Sequence, residues 1–130
     1  MKICIVDDDP IFQLLAKKQF QKIAGDIDTV SFTNGIDAYA YFRSVELTSL
    51  SMPKLLLVDL NLPIMNGWQL IDKLRKTCLT ENTLIYIVSS SPAIEDRVRS
   101  LSLTCVKDYL MKPINSQQYE ELYRAANVAH

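Results

Sequence analysis

The chain has 130 residues, 48% of them hydrophobic and 22% charged, enough for one globular domain with little room for a second. A net charge of -1 gives no bulk attraction to nucleic acid or to an anionic membrane, and the apolar runs are far too short to cross a bilayer. Three cysteines, Cys4, Cys78 and Cys105, are an odd number without metal-ligand spacing, which predicts reduced thiols in a cytoplasmic protein with Cys4 and Cys105 packed inside.

The first element is "KICIVDDDP" at 2–10, an apolar run from Ile3 to Val6 that stops at Asp7, Asp8 and Asp9. Two carboxylates ~4 Å apart repel by about 1 kcal/mol in water and about 4 kcal/mol at the effective dielectric of a protein surface. Such a run needs solvation, a capping role or a cation. Asp9 before Pro10 reads as the N-cap of a first helix with proline at its first position. That helix carries an apolar stripe of Phe12, Leu15, Ala16, Phe20 and Ile23. Ile11, Leu14 and Lys18 fall off the stripe, as partial burial or as a docking face.

"TVSF" at 29–32 predicts a second strand, and "TNG" at 33–35 a turn into a second helix with Ala38, Phe42 and Val45 inward. Tyr39 and Tyr41 are expected to pack. Residues 46–54, "ELTSLSMPK", form the one long irregular connection. "LLLVDL" at 55–60 has the continuous apolar character of a central strand and carries Asp59. A third helix after Gly67 presents Leu70, Ile71 and Leu74, with Trp68 as packing. "LIYIV" at 84–88 is the fourth strand, followed by Ser89, Ser90 and Ser91, the last expected to cap a helix with the stripe Ile94, Val98 and Leu101. A short strand "YLM" at 109–111 precedes Lys112–Pro113, and a last helix presents Tyr119, Leu122, Tyr123 and Ala126. The one histidine, His130, is the final residue, a poor place for a catalytic base.

Strands alternating with helices predict βαβ units, hence a parallel sheet covered on both faces. All strand C-termini then share one edge, where open α/β sheets bind ligands. Delivered to that edge are Asp7, Asp8, Asp59, Ser89 and Lys112. Carboxylates with backbone oxygen suit Mg²⁺ or Mn²⁺. The lysine ammonium suits a phosphoryl oxygen, and a carboxylate beside the cation is a candidate nucleophile toward phosphorus. Asp59, ending the most apolar strand, is the first choice.

Four motifs, "IVDDDP" at 5–10, "LVDLNLPIMNGW" at 57–68, "IVSSS" at 87–91 and "DYLMKP" at 108–113, resemble the receiver domain of two-component response regulators, in order and spacing over nearly the whole chain. The resemblance implies a flavodoxin-like five-stranded parallel sheet of order 2-1-3-4-5 with five helices, as a single receiver domain over 1–130. It implies that Asp59 is the phosphoacceptor and that Asp7, Asp8, Asp59 and the Asn61 carbonyl hold Mg²⁺. Ser89 is then the switch hydroxyl, Lys112 the lysine, Tyr109 the switch aromatic, and the Lys112–Pro113 peptide is cis. Ser89 drawn toward a phosphoryl group would let the Tyr109 ring turn inward. The implied partners are a histidine kinase or histidine phosphotransfer protein and a downstream protein target, with neither nucleic acid nor membrane. Since the chain ends after the fifth helix, the expectation is a stand-alone receiver whose output lies in another protein.

One departure is "LTCVKD" at 103–108, where the family often has glycine. Three other readings compete. A Mg²⁺-dependent phosphohydrolase acting through an aspartyl phosphate commonly needs a second acid two residues after the nucleophile, where Asn61 stands. A nucleotide binder of the same fold needs a Gly-rich phosphate loop that is not there. A degenerate receiver serving as an interaction module is at odds with the intact set of Asp7, Asp8, Asp59, Ser89 and Lys112.

Overall fold

The computed structural model describes residues 1–45, 52–77 and 80–128, so Cys78, His130 and most of the 46–54 connection lie outside the described residues. In chain order the elements are β1 (Lys2–Val6), α1 (Pro10–Ile23), β2 (Asp28–Phe32), α2 (Gly35–Ser44), β3 (Leu55–Val58), α3 (Gly67–Thr77), β4 (Leu84–Ser89), α4 (Ile94–Leu101), β5 (Val106–Met111) and α5 (Ser116–Val128). Every strand pairing is parallel and the order is β2-β1-β3-β4-β5, the flavodoxin-like arrangement expected.

The pleat sends alternate residues of each strand to opposite faces. Cys4 and Val6 of β1 join Leu56 and Val58 of β3 against α2 and α3, while Ile3 and Ile5 join Leu55 and Leu57 against α1 and α5. Both faces of β3 are therefore dry, which is why its sequence shows no alternation. Helix α3 buries Leu70, Ile71 and Leu74 completely. Each such side chain is worth about 1.5–3 kcal/mol relative to exposure.

Helix starts are set by short polar side chains. Asp9 accepts a hydrogen bond from the Ile11 N–H at 2.9 Å, with Pro10 at the first position, as the sequence indicated. Two reciprocal capping pairs escaped sequence reading. Asn66 and Gln69 exchange bonds of 2.9 and 3.0 Å at the start of α3, and Asn115 and Gln118 exchange bonds of 2.8 and 2.9 Å before α5. Each pair satisfies two otherwise orphaned backbone donors.

Four expectations change. Leu15 of α1 lies in solvent, because the core-facing arc is narrower than its apolar spacing indicates and only Phe12, Ala16 and Phe20 are buried. The stripe of α4 is reversed: Ile94, Val98 and Leu101 are 74%, 63% and 49% exposed, and the buried residue is Ser100, whose hydroxyl donates to the Asp96 carbonyl. Ser91 does not cap α4, whose N-cap is Ala93; instead the Ser91 hydroxyl accepts from the Ala93 N–H and donates to Asp96. Strand β5 begins at Val106, not Tyr109. A register irregularity between Ile85 and Tyr86, which pair with Val106 and Asp108, leaves Lys107 as the extra residue and hides the alternation.

Candidate phosphoryl-acceptor site

The C-terminal ends of β1, β3, β4 and β5 meet at one edge of the sheet. Backbone bonds stitch them: the Asp7 N–H donates to the Phe32 carbonyl at 3.0 Å, Asp59 N–H to Val6 at 2.9 Å, and Lys112 N–H to Ser89 at 3.0 Å. Asp7 and Asp59 follow the last residues of β1 and β3 and are buried, while Asp8 is exposed. One carboxylate oxygen from each of Asp7, Asp8 and Asp59 lies within 4.8 Å of the others.

Lys112 reaches into this cluster. Its ammonium lies 2.6 Å from Asp7 Oδ2 and 3.4 Å from Asp59 Oδ2, with the Phe12 ring of α1 4.6 Å away. Asp7 Oδ1 accepts the Asp9 N–H at 2.8 Å. Its buried Oδ2 has the Lys112 ammonium as its partner. Burial pushes the Asp7 carboxyl above its ordinary range, against the pull of Lys112. Burial alone would lower Lys112, but Asp7 and then Asp59 hold the ammonium above its usual value. The two shifts have different causes, burial for Asp7 and the neighbouring carboxylates for Lys112, and two buried carboxylates sharing one ammonium leave the site favouring added positive charge.

That donor set fits a small divalent cation. Three carboxylates converge, one faces solvent, and the two buried ones share a single ammonium. Asn61 donates its N–H to Asp59 Oδ1 at 3.3 Å and, with Asp8, Asn66, Trp68 and Asp96, lines an open cleft of about 590 Å³ beside the carboxylates. The loop carrying Asn61 is closed by the Gly67 N–H, which donates to the Leu60 carbonyl at 3.0 Å.

Ser89 is fully buried at the end of β4; its hydroxyl accepts the Ser91 N–H at 3.1 Å and donates to no protein group among the described residues. Tyr109 is inward in this structure. Its ring is 3% exposed and its hydroxyl already donates to the Ser91 carbonyl at 2.9 Å, because β5 directs it into the core between β4 and α4. The Lys112–Pro113 peptide is cis.

All the residues expected at the edge are therefore brought together, and three supports were not read from sequence. Phe12, a member of the buried α1 stripe, also places its ring against Lys112. Gln13 reaches three strand-end carbonyls from α1, and its only sequence signal is a polar residue flanking the buried stripe. Trp68 does pack on the core, but its outer surface carries the Arg99 guanidinium at 4.1 Å, tying α3 to α4.

Known proteins agree with this architecture. A family model described as "Response regulator receiver domain" matches residues 3–124. The nitrate/nitrite response regulator protein NarL of Escherichia coli K12 is 32% identical over 127 residues, covering 98% of this chain and 53% of NarL, so the chain spans about half that relative's length. A chemotaxis protein CheY homolog from Campylobacter jejuni is 27% identical over 121 residues, covering 93% of this chain and 88% of the homolog. The crystal structure of a two-component response regulator from Cytophaga hutchinsonii superimposes with a TM-score of 0.85 at 22% identity, over 97% of this chain and 96% of that one.

Proposed function

The chain belongs to the response regulator receiver domain family, and from that premise we propose that Asp59 accepts a phosphoryl group from a phosphohistidine on a partner protein. The observation that carries the assignment is the unequal commitment of the carboxylates. Asp7 is engaged by Lys112 and the Asp9 N–H, and Asp9 caps α1. Asp59 stands beside both Asp7 and Asp8, with a 3.3 Å bond from Asn61 and a 3.4 Å contact to Lys112.

In the transfer an Asp59 carboxylate oxygen attacks phosphorus, forming a P–O bond as the P–N bond breaks. The bonding pair returns to the partner imidazole, which takes up a proton from water. Lys112 moves from carboxylate oxygen toward the incoming phosphoryl oxygens and neutralises part of their charge. Ser89 offers its hydroxyl proton to another of them. Asp7, Asp8, Asp59 and the Asn61 carbonyl would hold Mg²⁺, which supplies charge neutralisation for the crowded oxygens. The chain acts as a phosphoacceptor switch in a cytoplasmic phosphorelay, catalysing only its own phosphorylation and dephosphorylation.

Two surfaces support partner binding. Ile11, Leu14 and Leu15 of α1 lie in solvent next to the site, on a helix holding Lys17, Lys18 and Lys22 and no acid; this suits an acidic-rimmed helical donor such as a histidine kinase or histidine phosphotransfer protein. Ile94, Val98 and Leu101 of α4 and Met111 of β5 form a second exposed apolar surface for the downstream protein target. Ser89 and Tyr109 are the proposed switch residues, and the Tyr109 hydroxyl on the Ser91 carbonyl links that ring to the segment leading into α4.

The test is intact-protein mass with a small phosphodonor and Mg²⁺. One base-labile phosphoryl group is expected on wild type and none on folded Asp59→Asn. Efficient labelling of another residue in wild type would overturn the assignment.

A further inference from the structure

Helix α1 sends one polar side chain out of its own element. Gln13 Nε2 lies 3.0 Å from the Ile5 carbonyl oxygen, 3.1 Å from that of Asp7 and 3.2 Å from that of Phe32. The three carbonyls belong to the C-terminal ends of β1 and β2 and to the peptide that follows β1. An amide nitrogen has two hydrogens for these three acceptors, so every donor is in use. The reversed amide would press its oxygen against three carbonyl oxygens, which fixes the orientation. Held this way, Gln13 Oε1 is buried with no hydrogen-bond partner among the described residues. The amide nitrogen, not the oxygen, is the end of this side chain that the strand ends hold.

The grip closes around one residue. The Phe32 carbonyl that accepts from Gln13 also accepts the Asp7 N–H, at 3.0 Å. Asp7 is therefore held at its N–H by Phe32 and at its carbonyl by Gln13, while its carboxylate is aimed by the Asp9 N–H. Asp9 in turn caps the helix that carries Gln13. Strand end, acidic turn and first helical turns form one closed hydrogen-bonded circuit.

We propose that Gln13 is a positioning residue for Asp7. It ties the ends of β1 and β2 together so that the Asp7 carboxylate is set toward Asp8 and Asp59 before any cation or phosphoryl group arrives. The inference rests on the phosphoryl-acceptor reading and names a residue that sets cation affinity in that site without touching the cation.

The experiment compares Gln13→Met, which keeps length and removes the donors, with Thr83→Val. Thr83 donates a buried 2.6 Å bond to the Pro53 carbonyl at the opposite edge of the sheet, so its loss destabilises the fold far from the site. In metal-free protein, amide hydrogen exchange at Asp7 and Asp9 should quicken about tenfold in Gln13→Met, while the Leu84 amide at the opposite edge stays unchanged. The Mg²⁺ dissociation constant should rise by about tenfold, and Thr83→Val should change neither quantity. Gln13→Lys, whose ammonium brings three donors to three carbonyls, should retain the slow exchange at Asp7 and Asp9, which keeps the test decisive if Gln13→Met folds poorly. Unchanged exchange in Gln13→Met, or faster exchange with an unchanged Mg²⁺ constant, overturns the inference. A wild type that binds no Mg²⁺ overturns the functional reading instead, and the metal-free exchange still decides the role of Gln13.

Discussion

Gly67 begins α3, and its α-hydrogens face the backbone just past β3. A methyl group built there lies 2.4 Å from the Asp59 carbonyl oxygen and 2.8 Å from the Leu60 Cα. Comfortable contact needs about 3.5 Å, so Gly67→Ala must push the segment after Val58 by about 1 Å. Backbone fills the space, and no flexible side chain can yield. Overpacking of this kind costs about 1–3 kcal/mol. Stretching the bond from the Gly67 N–H to the Leu60 carbonyl adds about 0.5–1.5 kcal/mol. Alanine's better helix propensity returns at most about 1 kcal/mol. The net loss is about 2 kcal/mol, a fall of about 6–12 °C in melting temperature for a domain of this size. The displaced segment includes Asp59 and leads to Asn61, so phosphoryl acceptance and the stabilisation by Mg²⁺ should fall as well. Gly25→Ala is the control: nothing lies within 4 Å of its added methyl and its φ is not positive, so its effect should stay within about 0.5 kcal/mol. Thermal melts with and without Mg²⁺ read both quantities. If Gly67→Ala melts within about 2 °C of wild type and keeps its Mg²⁺ response, the close approach of α3 to Asp59 does not constrain the site.

Three other outcomes are open to direct measurement. Ile64, 77% exposed at φ 67°, holds a β-branched side chain in the left-handed region, so Ile64→Gly should stabilise the fold by about 0.5–1 kcal/mol in urea, strain relief of about 1–2 kcal/mol less glycine's extra unfolded-state entropy; destabilisation would count against the strain. Burial, followed by the charge of Asp7, pushes the Tyr119 phenol up to about 12 from an ordinary 10, so the folded state keeps that proton after the unfolded chain has lost it and stability falls as pH rises from 10 to 12. Allowing for solvent screening, this loss is about 1–2 kcal/mol, and urea unfolding at both ends of the window should show it missing from Tyr119→Phe; equal pH slopes would refute it. Tyr109→Phe removes the bond to the Ser91 carbonyl and should cost about 0.5–1.5 kcal/mol in the same assay, with no change in phosphoryl acceptance, whereas a slowed acceptance would place the hydroxyl in the site itself.

The alternation of apolar runs with helical spacing, and the acids, serine and lysine that end those runs, follow from local rules, so the strands, the order of elements and the edge residues were legible in the sequence. A parallel sheet brings Asp7, Asp59, Ser89 and Lys112 together by topology alone, however far apart they stand along the chain. Tertiary structure decided what local periodicity does not contain. Whether a stripe such as Ile94, Val98 and Leu101 meets the sheet or the solvent depends on how α4 lies beside β5, and its moment is the same either way. The start of β5 was hidden because one irregular residue shifts its register on β4 and breaks the period of two. The inward Tyr109 ring depends on the Ser91 carbonyl 18 residues away. The contacts that hold the site ready, Phe12 on Lys112 and Gln13 on the carbonyls around Asp7, join a helix to strand ends through side-chain reach and direction, and nothing in the spacing of residues along the chain fixes where a side chain finds its partner.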